Sequence, residues 1–96
     1  MITNSPVTVN DISVTLSSGA GSATANQYRT FLMIQAPAAS AVTYSFTNST
    51  PSAGATGCFT LAANSAPVIF GPNVPRNAIY LAGTGSAVVI IVEGAP

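Results

Sequence analysis

Lysine, histidine and tryptophan are absent from this 96-residue chain, and only four side chains carry charge: Asp11, Arg29, Arg76 and Glu93. An ordinary soluble domain carries about a quarter charged residues. Without His or Lys there is no base to activate a serine or cysteine nucleophile. One thiol, two carboxylates and no imidazole are too few donors for a metal site, so no catalytic, metal-binding or cofactor-binding residue is assigned. Two arginines balanced by two carboxylates cannot build the basic footprint that phosphate neutralisation requires, which argues against nucleic acid as a partner. The single cysteine, Cys58, excludes an intrachain disulfide framework and fits synthesis and assembly in a reducing cytoplasm. The longest nearly apolar run, Ala87 to Val92, is far short of the ~20 residues of a membrane helix. The opening Met-Ile-Thr-Asn-Ser-Pro has neither the cationic nor the apolar region of an export signal.

What is present is β-forming. Apolar residues make up 48% of the chain, enough to offset ordering entropy by burial. Val7 and Val9 alternate with Thr8; Ile12, Val14 and Leu16 alternate with Ser13 and Thr15; Val42, Tyr44 and Phe46 alternate with Thr43, Ser45 and Thr47. A period of two marks strands with one buried face. Phe31 to Ile34 and Ala87 to Val92 are continuously apolar, the pattern of strands covered on both faces. Shorter candidates are Gly57 to Leu61, Pro67 to Phe70 and Ala78 to Ala82. Turn signals separate them at Ser17-Ser18-Gly19, Pro37 to Ser40, Thr50 to Gly54, Gly71-Pro72-Asn73 and Gly83-Thr84-Gly85. No window carries an apolar stripe at helical spacing. The expectation is one all-β domain over residues 1–96, an antiparallel β-sandwich of jelly-roll or Greek-key type with seven to eight short strands. Ser17 to Asn26 and Asn48 to Thr56, made of small and polar residues, read as loops.

The scarce polar chemistry leaves few candidates. Asp11 and Glu93 would have to meet across a cleft to act as a carboxylate pair. Gly19-Ala20-Gly21 and Gly83-Thr84-Gly85 lack the third glycine and the helix of a phosphate cradle. Cys58, beside Phe59 in an apolar run, reads as a buried, inert thiol. Arg29 and Arg76 either pair with Asp11 or Glu93 to tie strand ends, or reach across a subunit interface, where Arg is enriched and Lys depleted. The absence of Lys favours the interface for at least one of them. Residues 1–9, with Ile2, Thr3, Val7 and Val9 as contact side chains, are expected to form an N-terminal arm or edge strand that adds to a neighbour's sheet.

Arg29-Thr30-Phe31-Leu32-Met33-Ile34-Gln35 resembles the "N-R-x-x-L-x-I-Q-N" strand of small β-sandwich proteins encoded in the structural gene clusters of tailed bacteriophages. The order continues with Val42 to Phe46, Gly57-Cys58-Phe59-Thr60-Leu61, Val74-Pro75-Arg76-Asn77-Ala78-Ile79-Tyr80 and a closing Ser86 to Gly94. The resemblance spans Asn26 to Gly94 and departs at Ala36, where the pattern has Asn. It implies a virion component of the capsid decoration (cement) or head-fibre type. Such a protein would bind the major capsid protein on the outside of the shell, commonly as a homotrimer, and assemble in the host cytoplasm. The competing expectation is a head or tail fibre module for a receptor or glycan. That module would carry aromatics in its loops, whereas Tyr28, Tyr44 and Tyr80 fall within or beside apparent strands.

Overall fold

Nine strand segments form, eight of them where alternating or continuous apolar residues place them and one, β3, where the sequence reads as a loop. The computed structural model describes residues 7–71 and 73–96; Ile2 and Thr3 of the expected arm, and Pro72 of the Gly71–Asn73 turn, lie outside that range. The segments are β1 (Thr8–Asp11), β2 (Val14–Thr15), β3 (Ala20–Ala23), β4 (Phe31–Gln35), β5 (Val42–Ser45), β6 (Cys58–Leu61), β7 (Val68–Phe70), β8 (Ile79–Ala82) and β9 (Val88–Ala95). No helix occurs among the described residues. All pairings are antiparallel, in a five-stranded sheet ordered β1-β9-β4-β7 with β2 also on β9, and a four-stranded sheet ordered β3-β8-β5-β6.

β1 and β2 keep one register along β9, with Asp11 opposite Val92 and Val14 opposite Val89. They form a single edge strand broken at residues 12–13, where the Ser13 hydroxyl accepts the Ile91 N–H in place of a backbone carbonyl (3.1 Å). Counted that way, eight strands alternate between the sheets at every connection except β5–β6, and their order is that of a jelly roll. The sequence expectation of an all-β sandwich holds.

The core lies between the sheets. Leu32, Ile34, Val89 and Ile91 face inward from one, Ala23, Val42, Tyr44, Ile79 and Leu81 from the other, and Leu16 closes the end. The reading of Ser17 to Asn26 as a loop is overturned. Ser18 and Gly19 both have positive φ (51° and 79°), the requirement of a type I′ reversal, and Ser17 and Ala20 exchange backbone hydrogen bonds of 2.9 and 3.1 Å. The strand that follows has only small residues on its inner face, Gly21 and Ala23, because the sheets converge there. A Cβ on Gly21 would lie 2.7 Å from Val14 Cγ1 and 3.1 Å from Leu16 Cδ2. Gly19 and Gly83-Thr84-Gly85 are turns clasped to each other, Gly19 N–H donating to Gly85 O (2.9 Å) and Gly83 N–H to Gly19 O (2.8 Å). Asn48 to Thr56 is a connection, as expected. Its start is pinned by Ser45 Oγ, which accepts from the N–H groups of Thr47 and Asn48 and donates to Gly57 O.

Candidate functional site: a spent ion pair and an uncovered sheet face

The charged residues come first because they are so few. Arg29 enters from the crossing between β3 and β4, where Asn26 sets the path: its Oδ1 accepts the Tyr28 N–H (3.0 Å) and its carbonyl accepts the Arg29 N–H (3.2 Å). The Arg29 side chain is completely buried. Its Nε donates to Glu93 Oε1 (2.9 Å), Nη1 to the carbonyls of Pro75 (2.9 Å) and Asn77 (3.0 Å), and Nη2 to Thr24 O (3.2 Å). Glu93 projects from β9, and its second oxygen accepts Asn26 Nδ2 (3.0 Å). One guanidinium therefore ties β9, the β3–β4 crossing and the approach to β8, joining the two sheets. A buried charge pair persists only when most of its remaining hydrogen-bonding capacity is also satisfied, and here four of the five guanidinium N–H groups and both Glu93 oxygens are engaged.

This corrects the assignment of Arg29 as an interface anchor: a guanidinium with no exposed surface, four of its five N–H groups given to internal acceptors, is out of a partner's reach. Arg76 is exposed, and Arg29–Glu93 is the one ion pair among the described residues. Val9 pairs with Gly94 within the chain's own sheet, where β1 is the edge strand; its side chain is exposed, as is that of Val7.

The carboxylates do not converge. Asp11 stands opposite Val92, one residue from Glu93, but alternation turns Asp11 outward and Glu93 inward. Asp11 bonds the hydroxyl and N–H of Ser13, in that order of importance, and both hold its carboxyl below the usual range. A cleft of about 590 Å³ opens between the β1–β2 edge and β3, with Ser13, Asn26 and Glu93 on its wall. The Glu93 oxygens, the Asn26 side chain and the Ser13 hydroxyl are already engaged internally. Among the described residues no three Cys, Asp or Glu side chains gather as a metal site would need. Cys58 is partly exposed rather than buried as expected, its sulfur against the Asn48 amide at 3.7 Å.

Aromatic side chains cluster where β6 and β7 leave the sandwich open. Tyr44 packs 5.8 Å from Phe46, 5.5 Å from Phe59 and 6.4 Å from Phe70 between ring centroids, and burial raises its hydroxyl pKa. Tyr28, expected within or beside a strand, instead lies in the β3–β4 crossing, two-thirds exposed.

The outer surface of the five-stranded sheet is the remaining feature. Register places Met33, Val92 and Ile69 in one row across β4, β9 and β7, with Phe31 opposite Gly94 and Gln35 opposite Ile90. Val9 is 58% exposed, Ile69 61%, Val88 44% and Ile90 42%. Asp11 is the only charged residue at an outward position of this sheet. At one end the surface dips into a groove of about 270 Å³ lined by Gln35, Pro37, Ala38, Asn64, Val88 and Ile90. The apolar runs that read as strands covered on both faces are thus covered on one. That same continuity was the sequence signal for the exposed face.

No protein-family model, curated protein or solved structure matches this chain.

Proposed function

We propose that this protein is a non-enzymatic structural component of a tailed-phage particle, a decoration protein that binds the major capsid protein on the outer shell. One observation carries the reading: two of the four charges are locked inside the domain, leaving Asp11 and Arg76 as the charged side chains at its surface. A surface so neutral lacks the charge that keeps a free domain dispersed, and it suits a subunit held against other protein. The jelly-roll order agrees, since that architecture is common among viral capsid proteins. So does the resemblance of Asn26 to Gly94 to phage β-sandwich proteins. The action would be passive. Contacts made only with the expanded lattice stabilise that lattice by mass action.

The test is co-sedimentation of the purified protein with mature and immature heads that lack it. Saturable binding to mature heads, with shells surviving heat longer, is the expected result. Retention on host cells or polysaccharide without binding to heads would transfer the protein to the fibre class. Exposed Tyr28 favours that second reading, because an aromatic in a loop is a common contact for sugars and receptors.

A further inference from the structure

We propose that the outer face of the five-stranded sheet is an interface between two copies of this chain, stacked back to back. The inference does not rest on the capsid reading, since it concerns the isolated protein.

The sequence of β4 and β9 is that of strands covered on both sides, yet only one side is covered within the chain. Leu32, Ile34, Val89 and Ile91 are fully buried on the inner face, whereas Val88 and Ile90 alternate with them outward and remain exposed. Val9 and Ile69 extend the exposed surface to both flanking strands. Together with half-buried Phe31, Met33 and Val92, these side chains offer roughly 500 Å² of accessible surface, the apolar centre of an interface whose standard size is ~800 Å² per partner. An apolar patch of that size stands at the upper end of what isolated monomers expose, where such patches are often functional.

Three features select a second copy as the occupant. First, the face holds one charged residue, Asp11 on the edge strand β1, and the whole chain has a formal net charge of zero. Two copies therefore meet without a repulsive field and without burying a central charge. Second, the face is a twisted sheet surface of β-branched and other apolar side chains, which is what a second such sheet stacks on at about 10 Å separation. Third, stacking one sheet on its own copy is isologous and closes at two, so the exposed surface is consumed without polymer growth.

Sedimentation equilibrium between roughly 1 and 100 µM, the range in which an interface of this size is measured, tests the inference on the full chain. The expected species has twice the 9.6 kDa chain mass. Ile69→Lys and Ile90→Lys each place two lysines in the stacked interface and should weaken it by about 100-fold or more. Because both side chains already face water in the single chain, monomer folding by circular dichroism should be unchanged. Ser22→Lys, on the outer face of the other sheet, should leave the dimer intact. If the lysine variants precipitate, the double variant Val88→Thr and Ile90→Thr keeps β-branched strands and should weaken the dimer by roughly tenfold. A monomeric wild type, a trimer, or a dimer that survives the face substitutions would each overturn the inference. A monomer that binds phage heads until Ile90 is replaced by Lys would overturn it too, and would assign the face to the shell.

Discussion

The two sheets of this sandwich share one core and differ in what they turn outward. The four-stranded sheet turns Ala20, Ser22, Thr43, Ser45, Thr60, Tyr80 and Ala82 outward; Thr43 Oγ1 lies 3.0 Å from Thr60 Oγ1, and Ser45, itself buried, pins the following loop. The five-stranded sheet presents Val9, Phe31, Met33, Ile69, Val88, Ile90 and Val92, with Asp11, Thr15 and Gln35 among them. One sheet satisfies its exterior with short polar side chains. The other leaves apolar surface that the chain itself does not cover. Folding alone requires one apolar face per sheet, so a second apolar face on only one of them speaks of what that sheet meets outside the chain.

The comparison is meaningful only while the sheets are held together, and the largest expected effect removes the tie. Arg29→Met should strand the Glu93 carboxylate and free the carbonyls of Pro75, Asn77 and Thr24, costing about 3–5 kcal/mol in denaturant unfolding. The double variant Arg29→Met with Glu93→Leu should regain part of that loss. If Arg29→Met unfolds at the wild-type denaturant midpoint, the tie is not what joins the sheets.

A second pair of substitutions reads the two faces of one sheet directly. Ile34→Ala, which empties a fully buried site, should cost about 2–5 kcal/mol. Ile69→Ala on the adjoining strand should cost under about 0.5 kcal/mol when measured on the dissociated chain. Equal losses would mean that the outer face already packs within the monomer. Next in size is Gly21→Val in β3. Its branched side chain would drive into Val14 and Leu16 where the sheets converge, at a cost of about 1–3 kcal/mol in thermal unfolding.

Gly21 also marks where the sequence stops being readable. Strands such as Val42 to Ser45 announce themselves because burial on one face writes a period of two into large side chains. Ala20 to Ala23 carries no such signal, since the close approach of the sheets leaves room only for Gly21 and Ala23 on the inner face, where they do not contrast with outward Ala20 and Ser22. The Arg29–Glu93 tie was visible only as one of two alternatives, because a pair 64 residues apart in sequence forms through the β4–β9 register rather than through local spacing. The depletion of charge was plain. Which two charges lie inside was not, because inward and outward positions follow from alternation along β9 and its register with β1 and β4.

The smallest effect concerns Asp11, the one charge on the apolar face. Its carboxylate is held below the ordinary aspartate pKa by the Ser13 hydroxyl and then by the Ser13 N–H. A folded-state pKa below the unfolded one contributes stability that is present above the unfolded value and is lost as pH falls through the folded value. Asp11→Asn keeps an acceptor for Ser13 but no charge, so wild type should be slightly the more stable at pH 7. The difference should start to shrink as pH falls below about 4 and vanish once pH is below the folded-state value. Denaturant midpoints of the two proteins at pH 7 and pH 3 measure this. A difference that persists unchanged into acid would show that the charge does not strengthen the Ser13 contacts. The broken edge strand would then be held by backbone pairing and the Ser13–Ile91 bond alone.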